Sequence, residues 1–135
     1  MKMNETAILI VDDEPLILLD LESALEEAGF LTVGVPTAEA AIEAFAQQPD
    51  RISALLTDVR LGVGKSGWDL ARDFRRVTPT LPVVYISGDS SPNWSAEGVP
   101  GSVIIPKPVF MPQIITALSN LLNRLHPIAL SDEGA

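Results

Sequence analysis

Five short apolar runs alternate along this chain with stretches whose apolar residues recur at helical spacing. Residues 6–11 (TAILIV) form a continuous β-branched run, the pattern of a strand buried on both faces. Pro15 then occupies the position a helix tolerates first, and apolar residues at 17, 21, 24, 25 and 28 mark one face of a helix over 16–28 that Gly29 stops. Residues 30–35 (FLTVGV) read as a second strand. Thr37 caps a second helix with Glu39 in its first turn; Ala41, Ile42 and Phe45 turn inward, and Pro49 and Asp50 end it. The third strand is 52–58 (ISALLTD). Beyond a Gly-rich loop over 61–65, Ser66-Gly67-Trp68-Asp69 has capping-box spacing and opens a helix to Val77, with Trp68, Ala71, Phe74 and Val77 on its buried side. A fourth strand covers 82–87. The segment 88–101 holds Pro92, Gly98, Pro100 and Gly101, which leaves one or two helical turns around 93–97. A fifth strand, 102–105, stops at Pro106-Lys107-Pro108, and a last helix from Met111 or Pro112 carries Ile114, Ile115, Leu118, Leu121, Leu122 and Leu125 until Pro127.

Strands alternating with helices predict an α/β fold, a parallel sheet covered on both faces. Ligands in such sheets sit outside the carboxyl ends of the strands. The residues there are Asp12 and Asp13 after the first strand, Asp58 on the third, Ser87 on the fourth and Lys107 after the fifth. The second strand ends blandly in Gly34-Val35-Pro36, which predicts an edge strand away from the site. One domain over 1–126 is expected, with 127–135 a flexible tail.

Composition narrows the function. With 47% hydrophobic and 20% charged residues the chain is globular rather than disordered. Its formal charge of −9, from 18 acidic against 9 basic residues, argues against direct binding to nucleic acid or an anionic membrane, since no basic run exists to release counterions. It fits a partner with basic features or a bound divalent cation. Without cysteine there is no disulfide, thiol nucleophile or thiolate metal site. The first apolar run is too short for a signal peptide or a membrane span, so a cytoplasmic protein is expected.

Three carboxylates in one crevice repel one another by on the order of 3 kcal/mol per pair at ~5 Å and an effective dielectric of ~20. A hard cation such as Mg²⁺ removes that repulsion. Lys107 can hold an anion and Ser87 can donate a hydroxyl hydrogen bond. One metal site, one anion partner, one hydroxyl and one nucleophile make the set that phosphoryl transfer requires.

The stretches ILIVDDEP (8–15), LLTDVRL (55–61), VVYISGD (83–89) and PKP (106–108) resemble, in order and spacing, the four motifs of the receiver domain of bacterial two-component response regulators. The resemblance spans residues 6–125. It implies a flavodoxin-like (CheY-like) doubly wound sheet of five strands in the order 2-1-3-4-5, with a short fourth helix in this chain. It implies that Asp58 takes a phosphoryl group from the phosphohistidine of a sensor kinase or histidine phosphotransfer protein. Mg²⁺ would be bound by Asp13, Asp58 and the backbone carbonyl of Arg60, with Asp12 ligating directly or through water. Lys107 would pair with the Asp58 carboxylate before transfer and with the phosphoryl oxygens, Ser87 would move toward the phosphoryl group, and Lys107-Pro108 would be cis. The side chains of Arg60 and Asp89 would tune phosphoryl lifetime.

Three features depart from the family pattern. The position three before Lys107, an aromatic switch in many receivers, is Ile104; the loop after Asp58 has Gly62 in place of the customary proline and is one residue longer; and the 88–101 segment is stunted. Helix four, strand five and helix five form the family's usual output face, so output here would use a different geometry. With few residues after 125, no effector domain is expected to follow. The expectation is a single-domain, non-enzymatic response regulator that acts through a protein partner or by self-association. The alternative is a phosphorylation-independent interaction module with the same fold. A third reading, a small hydrolase acting on external phosphates, lacks any cap or substrate domain.

Other features read blandly. Gly62-Val63-Gly64-Lys65-Ser66 mimics the end of a P-loop, but the glycine required five positions earlier is Val59. His126 reads as a surface residue and Trp68 as core, while Trp94 divides between local packing and a partner surface. Asp12 and Asp13 alone could be helix N-terminal carboxylates favoured by the dipole.

Overall fold

A computed structural model describes residues 6–89 and 93–125. Parallel strands β1 (Ala7–Val11), β2 (Leu31–Val35), β3 (Ile52–Asp58), β4 (Val83–Ser87) and β5 (Val103–Pro106) form one sheet in the order β2-β1-β3-β4-β5. Helices α1 (Pro15–Glu27), α2 (Ala38–Gln47), α3 (Gly67–Val77), α4 (Trp94–Glu97) and α5 (Met111–Leu125) fill the crossovers and the C-terminal end. The five expected strands and five expected helices are all present, and β2 is an edge. Residue 126 and the tail 127–135 lie outside the described residues.

Alternation along the strands divides the apolar side chains between two cores. Leu9, Leu55, Val83 and Tyr85 pack against Phe45, Leu70, Ala71 and Phe74 of α2 and α3. Ile8, Ile10, Leu56 and Ile86 pack against Leu21 and Leu25 of α1 and Ile114 and Leu118 of α5. Both sheet faces are therefore covered, which is why β1, β3 and β4 read as continuous apolar runs. Only four residues of α4 are helical, and Val99 completes the core on that side.

Three sequence expectations on helix faces change. Ile42 is 37% exposed, because α2 buries Ala38, Ala41 and Phe45 and position 42 stands about 100° from Ala41. Ala28 is exposed as the C-cap of α1, and Val77, at the end of α3, is also exposed. Trp68 is buried as expected, 4.5 Å from the Tyr85 ring.

Strand register sets the site. Val11 pairs with Thr57 and Asp58 with Ile86, so Asp12 and Asp58 emerge side by side from neighbouring strands. Ser87 pairs with Pro106, which places Lys107 one residue beyond it at the same end of the sheet.

Candidate functional site

Each candidate group stands where a strand runs out. Asp58 is the last residue of β3 and only 5% exposed, and Val59 N–H extends the ladder to the Ile86 carbonyl at 3.0 Å. Gly67 lies directly behind this corner: a Cβ there would stand 2.4 Å from the Asp58 carbonyl oxygen, so the start of α3 can approach only as glycine. Asp12 follows β1, is fully buried, and its Oδ1 accepts a hydrogen bond from Glu14 N–H at 2.8 Å. Its Oδ2 is buried and finds no partner among the described residues. Asp13 is exposed, yet carboxylate oxygens of Asp12, Asp13 and Asp58 all lie within 4.8 Å of one another.

Lys107 reaches this acidic corner from β5. Its Nζ donates to Asp58 Oδ2 at 3.3 Å and to Glu14 Oε1 at 3.4 Å, and the Lys107-Pro108 peptide is cis. Ser87, 1% exposed, lines the same cleft of about 470 Å³, together with Arg60 and Asp89. Arg60 and Asp89 form an ion pair at 3.0 Å.

The electrostatics fit an acidic cation site. Burial pushes the Asp12 carboxyl up to about 6, against the lowering effect of the Glu14 N–H, and the neighbouring Asp58 raises it further. Burial also raises Asp58 even though Lys107 pulls it down. Lys107 moves upward: its partial burial acts the other way, but the Asp58, Glu14 and Asp12 carboxylates outweigh it. One lysine thus leaves the three aspartates undercompensated, and a divalent cation would complete the set. The orphaned, buried Asp12 Oδ2 fits that reading, because a buried carboxylate oxygen without a partner is unfavourable unless something else binds it.

The chain matches the response regulator receiver domain model over residues 8–119. It belongs to the response regulator receiver domain family. Receiver domains are signalling domains of two-component systems; they interact with kinases or phosphotransfer proteins and typically bind Mg²⁺ at an acidic cluster. A response regulator receiver protein from Sinorhizobium medicae superposes with a TM-score of 0.85 at 42% identity, covering 90% of this chain and 97% of that one. A receiver domain protein from Clostridium thermocellum gives 0.81 at 26% identity over 88% of this chain and 95% of the other. The phyllosphere-induced regulator PhyR of Methylorubrum extorquens is 33% identical over 113 residues, which are 84% of this chain and 42% of PhyR. The chain therefore spans less than half the length of the curated relatives it matches. Among the described residues no helix is long and apolar enough to cross a membrane.

All the sequence-predicted site residues except Ile104 gather at this receiver's cleft. Ile104 sits half-buried on β5, paired in register with Tyr85 and packed against the core on the α2 and α3 side of the sheet. Sequence reasoning missed three things. Glu14 is a second partner of Lys107, although it stands beside Asp13 in the chain. Arg60 and Asp89, read as separate positions, bond to each other. The ring beside Ile104 belongs to Tyr85 on β4, whose hydroxyl accepts a hydrogen bond from Val99 N–H at 3.1 Å. The P-loop mimic is accounted for locally: Lys65 pairs with Asp73 and Ser66 caps α3. Trp94 donates through Nε1 to Ser102 Oγ at 2.9 Å, a local partner, while its side chain stays exposed.

Proposed function

We propose that this receiver is a Mg²⁺-dependent phosphoacceptor: it takes a phosphoryl group onto Asp58 from the phosphohistidine of a sensor histidine kinase or a histidine phosphotransfer protein, and signals through a protein partner. The observation that carries this reading is the Asp58 carboxylate, nearly buried at a strand end, 3.3 Å from Lys107 and clustered with Asp12 and Asp13. Mg²⁺ would be held by Asp13, Asp58 and the Arg60 carbonyl, with Asp12 ligating directly or through water. When bound it supplies positive charge to the carboxylates and to the phosphoryl oxygens.

The residues of the chain carry the remaining steps. An Asp58 oxygen forms the P–O bond as the P–N bond of the phosphohistidine breaks; the leaving imidazole keeps the electron pair and takes up a proton. Lys107 leaves its pairing with the carboxylate and holds the phosphoryl oxygens. Ser87 donates its hydroxyl to them. Arg60 and Asp89, at the mouth of the cleft, set the lifetime of the acyl phosphate. Beyond supplying the nucleophile the protein contributes position and charge, which dominate phosphoryl transfer.

Acetyl phosphate with Mg²⁺ is expected to add one phosphoryl group by intact mass, and none with chelator or in Asp58→Asn. Equal labelling of Asp58→Asn overturns the assignment. The second reading, an interaction module indifferent to phosphorylation, draws on Ile104 and the single turn of α4. It predicts that a captured partner binds the phosphorylated and unphosphorylated protein equally.

A further inference from the structure

β3 and β4 are neighbours, and the chain bends just past the end of each. Arg60 stands two residues beyond Asp58, and Asp89 two beyond Ser87. These two residues are bound to each other in a fork: Arg60 Nε donates to Asp89 Oδ1 at 3.1 Å, and the guanidinium Nη2 lies 3.0 Å from Oδ2. Both side chains are exposed, 75% and 63%, and both line the cleft that holds Asp58 and Lys107. Lys107 is already engaged with Asp58 and Glu14, so Arg60 is the cation of this cleft whose partner lies on its outer rim.

We propose that the Arg60–Asp89 pair is an exchange latch: a phosphoryl group on Asp58 draws Arg60 away from Asp89, so that charge added at the acceptor is read at the end of β4. This rests on the reading of Asp58 as the acceptor. A guanidinium fork fits a phosphoryl group as well as a carboxylate, but the phosphoryl group offers three acceptor oxygens and up to two negative charges. The existing pair is exposed and forked, so it is weak enough to be displaced and directional enough to hold Asp89 until then. The latch places Asp89 and the phosphoryl group in competition for Arg60, so that Arg60 and Asp89 do not act as two independent charges.

Beryllofluoride with Mg²⁺, a phosphoryl mimic, tests this by titration of the whole chain as wild type, Arg60→Gln, Asp89→Asn and the double variant. Both positions are on the surface and Arg60→Gln keeps its backbone carbonyl, so the variants retain the site. Asp89→Asn is expected to tighten binding by up to about fivefold, the factor equivalent to an exposed ion pair, and to do so only where Arg60 is present. The gain should shrink at high salt. Equal tightening in the Arg60→Gln background overturns the latch, because Asp89 then merely repels the anion. Absence of binding in wild type, or equal binding by Asp58→Asn, overturns the acceptor reading and the latch with it.

Discussion

Two helices begin beside carboxylates in this receiver, and they use them in opposite ways. At the start of α3, Ser66 Oγ accepts from Asp69 N–H at 3.2 Å while Asp69 Oδ2 accepts from Ser66 N–H at 3.0 Å. The Ser66 amide first, and then the Ser66 hydroxyl, which also donates to Oδ2 at 3.1 Å, hold the Asp69 carboxyl below the usual carboxylate range. At the start of α1, Glu14 provides no side-chain cap and Pro15 needs none for its nitrogen. Asp12 satisfies one oxygen on Glu14 N–H and leaves the other buried and unpartnered, and burial pushes its carboxyl up to about 6. Both regions offer the same helix-dipole attraction to an acid. The difference is solvation: Asp69 is bonded and half open to water, Asp12 is buried against Asp58. A cap lowers the energy of the folded chain by itself, whereas a buried acidic corner does so only when a cation arrives.

The largest expected effect breaks the comparison at the acidic corner. Mg²⁺ at about a hundred times its Kd should stabilise the wild type by roughly 2.7 kcal/mol. The Asp12→Asn, Asp13→Asn double variant should gain almost none of that. In chelator the same variant should be more stable than wild type, by on the order of 1 kcal/mol, because an uncompensated buried charge is gone. Denaturant melts with and without Mg²⁺ measure both quantities. A variant that is less stable in chelator would mean that Asp12 is a structural cap like Asp69.

Next, Ser66→Ala should lower stability by ~1 kcal/mol irrespective of Mg²⁺. Metal-independent loss at α3 beside metal-dependent gain at α1 is the pattern to look for. The smallest effect is in acid. Since the folded-state carboxyl of Asp69 is lowered, its contribution is complete above the usual carboxylate range and disappears as pH falls through its folded value. The stability gap between wild type and Asp69→Asn, expected to be ~0.5 kcal/mol, should therefore close on acidification. A gap that widens in acid would contradict the cap.

Much of this was legible beforehand. The five strands, the one-turn α4 and the capping box follow from runs, spacings and glycines that act within a few residues. The acidic corner was legible too, because strand ends in a parallel sheet converge. The pairing of Lys107 with Asp58, 49 positions away, is what the family resemblance implies. What could not be read is which other side chains pair once there. Lys107 also contacts Glu14 across 93 positions. Arg60 finds Asp89 29 positions away. Ile42 faces solvent because the buried stripe of α2 runs through Ala38, Ala41 and Phe45, the last stacked on Phe74 of α3.

The sequence by itself determined the strand-end carboxylates, the lysine between two prolines and the alternation that puts them at one end of a sheet. The reason is that periodicity, caps and turns are short-range constraints. The tertiary structure alone decided that Asp12 keeps one oxygen unpartnered, that Arg60 is bound to Asp89, and that the ring beside Ile104 is Tyr85 with its hydroxyl on Val99. Those outcomes depend on burial and on strand register, which exist only when distant segments have packed.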